Sequence, residues 1–193
     1  MKKIVFDIET KNSFAEVGKR EATALDISLL VVYDYETDKY TSYLQEDFLD
    51  LWKVLEKTDL IIGFNSNWFD IPLLNKYYPG DLTKIQSLDI LEKFRQSAGL
   101  RIGLDAIAEA TLGIGKTAKG LEAVAWWKEG EIEKIREYCI GDVKVTKGIY
   151  DFARKNRYLN YKNFAGELQR VDLDPSDWEE VEKAAPINYT LPI

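Results

Sequence analysis

The chain of 193 residues carries 26 Lys and Arg against 33 Asp and Glu, a formal charge of -7, with 46% hydrophobic and 12% aromatic residues. That length and apolar content suit one domain with a sizeable core. The charge speaks against a broadly basic nucleic-acid coat, and the absence of histidine removes Ser-His-Asp and Cys-His nucleophile systems, His-containing zinc sites and histidine as a general base.

No apolar run approaches the roughly 20 residues of a membrane span. Met1-Lys2-Lys3 leads into a strand-like run that meets Asp7 almost at once, too short and too polar for a signal peptide. The single cysteine, Cys139, leaves no internal disulfide and suits a reducing cytosol, so a cytoplasmic, membrane-free protein is expected.

Taken in chain order, residues 3–9 predict a strand buried on both faces. Residues 27–35 and 39–44, joined by Glu36-Thr37-Asp38, predict an antiparallel hairpin. Phe48, Leu51, Trp52 and Leu55 recur at helical spacing. A short apolar strand over 60–64 follows, then a helix over 70–78 with Pro72 in its first turn. Residues 85–91 predict a strand or strand-to-helix turn around Asp89, and a helical pattern starts at Gly103 and breaks after Leu112. The longest helix is predicted over 132–155, with a bend near Gly141. Beyond Asn156 periodicity fades; a short helix with Ser176 and Glu179 at capping-box spacing and an apolar tail over 186–193 that packs on the body are expected. The sum is an α/β fold, a mixed β-sheet flanked by α-helices.

Three segments set acids among apolar residues: Phe6-Asp7-Ile8-Glu9-Thr10, Asn65-Ser66-Asn67-Trp68-Phe69-Asp70 and Tyr138-Cys139-Ile140-Gly141-Asp142. A buried carboxylate is unfavourable unless neutralised, and hard divalent cations neutralise it with oxygen ligands. On a strand, Asp7 and Glu9 share a face; on a helix, Tyr138 and Asp142 lie one turn apart. Asp70 opens a helix, where negative charge is favoured. Each pattern alone has a plainer explanation: a solvated strand end, a helix-starting acid, a polar stripe, and a small core cysteine at 139.

Together and in this order, the three segments resemble the exonuclease motifs of DEDD-type 3′–5′ exonucleases, in the branch marked by a tyrosine, and in particular the proofreading domain of family B DNA polymerases. The resemblance runs from Lys3 to about Phe152. It implies a ribonuclease H-like fold over residues 1–156, with 157–193 as an extension packed on it. It implies a two-metal-ion hydrolase that releases nucleoside monophosphates from the 3′ end of single-stranded DNA. By position, Asp7, Glu9 and Asp142 would hold one ion, Asp7 and Asp70 would serve the second, and Tyr138 would place the attacking water. Thr10, Asn65 and Phe69 fall where the family contacts the terminal nucleotide. All-oxygen ligands favour Mg²⁺ or Mn²⁺ over zinc. The segment after the first motif is brief beside that of a polymerase-attached domain, and no palm follows residue 193, which suggests a free-standing enzyme or a piece of a larger replication or repair assembly.

Other readings stay open: an RNA 3′ exonuclease, a ribonuclease H-like endonuclease, or a silent binding module. Gly113-Ile114-Gly115-Lys116-Thr117 lacks the first glycine of a P-loop, because Ala110 stands there. It is better taken as a loop whose Lys116 and Lys119 contact phosphates, with Arg101, Lys144 and Lys147 completing a local basic groove; scattered solubilising lysines explain the same residues equally well. Asp172 to Ser176 fails as a calcium loop, since Asp177 replaces the required glycine. Trp126 and Trp127 suit helix packing better than base stacking.

Overall fold

The computed structural model describes residues 1–115 and 120–180. The β-branched run of β1 (Lys3–Thr10) is flanked on one side by the hairpin of β2 (Ile27–Asp34) and β3 (Lys39–Tyr43), which turns at Asp38 with φ +56°. The short helix α1 (Phe14–Val17) lies between β1 and β2. Next come α2 (Phe48–Leu55), β4 (Leu60–Gly63), α3 (Asp70–Asn75), β5 (Gln86–Asp89) and α4 (Ile90–Ala98). The chain continues through α5 (Leu104–Leu112), α6 (Gly120–Glu129) and α7 (Ile132–Asn156) to β6 (Tyr158–Lys162) and β7 (Leu168–Asp172).

The five-stranded sheet has the order β3-β2-β1-β4-β5. β1 pairs antiparallel with β2 and parallel with β4, and β4 pairs parallel with β5. It is a mixed sheet flanked by helices, as the sequence predicts. Period-two alternation gives β1 two buried faces. Ile4, Phe6 and Ile8 join Leu51, Trp52 and Leu74 from α2 and α3 in one core. Val5 joins Leu29, Val31, Ile62 and the α7 residues Ile135, Cys139, Val143 and Ile149 in the other. Asp7 and Glu9 continue the Val5 face, so the strand aims both carboxylates toward the α7 side.

Several boundaries differ from the sequence expectation. α3 ends at Asn75, whose side-chain oxygen accepts the Leu82 N–H at 2.8 Å, while Tyr77 and Tyr78 turn their rings onto Phe48 and Trp52. α7 runs without a break through Gly141. Past Asn156, the chain forms the β6–β7 hairpin. The Asn163 side chain accepts the Ala165 and Glu167 N–H groups in its turn. Only Leu159 and Val171 of this hairpin are buried, so its polar partners mask the alternation.

Residues 176–179 form turns and no helix. Glu179 makes no capping box because its carboxylate is engaged elsewhere. It accepts from Lys3 Nζ at 2.6 Å, Tyr150 Oη at 2.5 Å and Arg154 Nη2 at 2.5 Å, while Trp178 stacks on Tyr150. The tail expected over 186–193 lies outside the described residues. Among the described residues, no helix is long and apolar enough to cross a membrane.

Burial pushes the Glu179 carboxyl up, but the hydrogen bonds from Lys3 and Tyr150 and the charges of Lys3 and Arg154 outweigh it and leave it below its ordinary value of 4.5. A depressed folded pKa adds stability above the unfolded pKa and loses it as pH falls through the folded one. Glu179→Gln should therefore lower the urea midpoint at pH 7 and flatten the loss of stability below about pH 4.5. An unchanged acid limb in urea titrations of the variant would rule this out.

Candidate active site

β1 pairs with β4 only over Lys3 to Val5, because β4 ends at Gly63 and the chain turns sharply. A Cβ at Gly63 would overlap the Ser66 side chain, and Asn65 takes φ +63°, a left-handed conformation that Asn tolerates better than most residues. The turn delivers Asp70 to the part of the β1 edge that β4 leaves unpaired, where its Oδ1 accepts the Ile8 N–H at 3.1 Å. On the other edge, the β1–β2 register slips between Glu9 and Thr10, and such irregularities re-aim side chains.

Asp89, the N-cap of α4, holds the β4–α3 turn in place. Its carboxylate accepts the N–H groups of Asn65 (2.8 Å), Asn67 (3.1 Å), Leu91 (3.0 Å) and Glu92 (3.3 Å). Its role is structural, and an Asp opening a helix was the legible signal for it.

Across the β1 face lies α7. Cys139 is fully buried and its Sγ donates to the Asp7 backbone oxygen at 3.4 Å and approaches Asp7 Oδ2 at 3.6 Å. The expectation of a small core residue thus understates it. Tyr138 and Asp142 lie one helical turn apart, close enough that the Tyr138 hydroxyl and the Asp142 carboxyl shift each other's pKa, and the Trp126 ring of α6 stands edge-on to Tyr138 at 6.0 Å.

These elements enclose a cleft of about 420 Å³ lined by Asp7, Glu9, Asp70, Tyr138 and Asp142, together with Thr10, Asn65 and Phe69. Phe14 of α1 and Val124 of α6 also line it. Neither helix was delimited from the sequence, α1 because it is a single turn and α6 because it follows the Gly-rich break.

Two of the four acids are buried and two, Asp7 and Asp142, are half-buried. Glu9 and Asp70 are 8% and 4% exposed, and among the described residues no Lys or Arg pairs with any of the four within 4.0 Å. Burial, then the charges of Asp70, Asp142 and Glu9, raises Asp7 well above its ordinary pKa. Glu9 is raised by burial and by Asp142 and Asp70. Burial pushes Asp70 up to about 8 against the pull of the Ile8 N–H. Burial likewise lifts Asp142 to about 6, against the Tyr138 hydroxyl and with the charge of Asp105.

The tightest group of potential metal-binding atoms is Asp7, Glu9 and Cys139, all within 4.8 Å, rather than the four acids at once. Burial and the neighbouring acids raise the thiol well above its ordinary value, and its Sγ is engaged with Asp7. What remains for a cation is carboxylate oxygen, desolvated and without a cationic partner among the described residues, which fits a hard divalent ion.

Of the basic residues expected around the cleft, Arg101 approaches it, with Nη2 donating to Asn65 Oδ1 at 2.7 Å. Lys144 and Lys147 do not complete a groove there. Lys144 lies over the Tyr40 ring, and Lys147 pairs with Asp151 at 2.8 Å and sits against Tyr33 and Tyr35. Lys116 and Lys119 lie outside the described residues. Trp127 carries Lys11 Nζ 4.8 Å above its ring, and both tryptophans pack against the core.

The sequence model of the RNase H superfamily matches residues 4–154. No curated protein sequence matches the chain. Among solved structures, the fold is similar to the family B DNA polymerase from the hyperthermophilic archaeon Pyrobaculum calidifontis, with a TM-score of 0.60 and 19% identity. That similarity covers 79% of this chain and 24% of the polymerase, so the chain spans about a quarter of the polymerase's length. With a mixed sheet flanked by helices and a superfamily match over most of its length, the chain belongs to the RNase H superfamily.

Proposed function

We propose that the protein is a two-metal-ion-dependent 3′–5′ exonuclease that removes nucleoside monophosphates from the 3′ end of single-stranded DNA, with residues 1–156 as the catalytic unit and 157–193 as an extension. The observation that carries the reading is the convergence of four uncompensated carboxylates and Tyr138 in one cleft. Its volume of about 420 Å³ lies in the range of roughly 300–1,000 Å³ of small-ligand sites. Superfamily membership and the fold likeness to a DNA polymerase support a nucleic-acid substrate.

Asp7, Glu9 and Asp142 would hold one Mg²⁺ or Mn²⁺ ion, and Asp7 and Asp70 would serve a second. Such a pair, when bound, supplies an activated water and stabilises charge on the leaving 3′ oxygen. Asp70 is held on the β1 edge by Ile8 N–H, and Cys139 braces Asp7 from behind. Tyr138 is held protonated by burial and by the charges of Asp142, Glu9 and Asp7. It therefore acts as a hydrogen-bonding group that orients the attacking water, and not as its base. Thr10, with Oγ1 committed to Asn12 O at 2.8 Å, Asn65 and Phe69 shape the pocket for the terminal nucleotide.

Strands of DNA and RNA labelled at the 3′ or 5′ end, incubated with Mg²⁺ or Mn²⁺, test the reading. Stepwise shortening from the 3′ end of DNA, abolished by EDTA, is expected. Internal cuts would point to an endonuclease, exclusive loss of RNA to a ribonuclease, and no cleavage with either ion would sink the enzymatic reading. Tyr138→Phe should slow single-turnover hydrolysis by about a hundredfold while Mn²⁺ titrations by calorimetry stay unchanged. A full rate in this variant would remove the water-orienting role.

A further inference from the structure

A second groove, of about 310 Å³, adjoins the cleft and shares Asn65 with it. Its other walls include Trp68, Arg95 and Arg101. Trp68 is 46% exposed, although its ring is large and apolar. It leans on Phe14 at 5.9 Å and stacks on Phe69 at 6.2 Å, both lining residues of the cleft. One aromatic wall therefore runs from the cleft into the groove.

The charges in the groove differ in how they are used. Asp89 accepts four backbone N–H groups, and Glu92 accepts from Asn67 Nδ2 at 2.7 Å. Among the described residues, neither Arg95 nor Arg101 pairs with a carboxylate. Both arginines are exposed, and Arg101 places its guanidinium at the junction by donating to Asn65 Oδ1. A planar guanidinium without a carboxylate partner suits phosphate oxygens. A half-exposed indole suits the face of an unpaired base.

We propose that this groove binds the nucleotides preceding the 3′ end of a single strand, with Trp68 stacking on a base and Arg95 and Arg101 holding the phosphates. This rests on the exonuclease reading for which end of the strand enters the cleft. The strand passes Asn65, whose backbone is fixed by Asp89 and whose side chain is fixed by Arg101. Phe14 and Ala15 also connect the cleft to a shelf carrying Lys19 and Arg20, which would be the rival exit.

The test is fluorescence anisotropy of a 5′-fluorescein oligothymidylate with the full chain in EDTA, over a salt series. No turnover is needed, so the outcome is separable from that of the labelled-strand assay. Arg95→Ala with Arg101→Ala should weaken binding at least about tenfold and flatten the slope of log affinity against log salt by about 0.7 per arginine. Trp68→Ala should weaken binding about tenfold with the salt slope unchanged, and Trp68→Tyr should restore most of it. Lys19→Ala with Arg20→Ala should leave affinity as it was. No binding by the unsubstituted chain, an unchanged slope in the arginine variant, or loss concentrated in the Lys19 and Arg20 variant would each overturn the proposal.

Discussion

Asp7→Asn is expected to reduce 3′-end hydrolysis by at least about a thousandfold, and to make the cation-free protein more stable. Both effects follow from one position. Asp7 is the acid raised by all three of the others as well as by burial, so it stands at the electrostatic centre of the cleft. Asparagine keeps its shape and leaves an oxygen able to accept from Cys139, which lies 3.6 Å from Oδ2, while removing the charge. Replacing buried charge in this way stabilises by about 2 kcal/mol, or about 4–8 °C in Tm for a chain of this size. Differential scanning calorimetry in EDTA and a single-turnover assay with Mn²⁺ measure the two effects separately. A variant that melts lower than its parent in EDTA would mean that Asp7 is held by compensation the geometry does not reveal. One that retains activity would remove Asp7 from the cation site.

Part of this layout is legible in sequence because it depends on local periodicity. Asp7 and Glu9 stand two apart in an uninterrupted apolar run, and a strand leaves them no choice but one face. Tyr138 and Asp142 stand four apart in a helix whose expected limits, 132–155, differ by one residue from Ile132–Asn156. Asp70 depends on tertiary structure: only the left-handed turn at Asn65 and the early end of β4 bring it to Ile8 N–H. The basic groove was the least legible feature. Lys144 lies two residues beyond Asp142 and thus roughly 200° around the helix, so a lysine close in sequence faces away. Arg101 reaches the cleft from the loop before α5, a placement no local pattern encodes. The β6–β7 hairpin stayed hidden because its alternation carries only two buried apolar residues, and the expected capping box at Ser176 because Glu179 is worth more beside Lys3 and Arg154 than at a helix start.

The electrostatics of the cleft set a second large expectation, an inverted pH dependence of stability that divalent cations abolish. For most carboxylates the folded state lowers the pKa, and stability grows as pH rises. Here Asp7, Glu9, Asp70 and Asp142 are all raised, with Asp142 near 6 and Asp70 near 8. Between the unfolded value of about 4 and those folded values, the native state binds more protons than the unfolded chain, so stability must fall as pH rises. The contribution is greatest below about pH 4, and it is lost through pH 6 for Asp142 and through pH 8 for Asp70. A cation that binds only the ionised cleft reverses the sign, because its affinity increases as the protons leave. In EDTA, Tm should therefore decline from pH 5 to pH 8. With saturating Mn²⁺ the decline should vanish, and the gap at pH 8 should reach about 3 kcal/mol at a hundredfold excess over Kd. Glu179 acts only below its ordinary value of 4.5 and does not mask the window. Asp7→Asn, which removes one charge from the cluster, should flatten the EDTA slope and shrink the Mn²⁺ gap together. If Tm in EDTA rose steadily toward pH 8, the four acids would be ionised at little cost, and the electrostatic case for a cation-dependent cleft would fall with it.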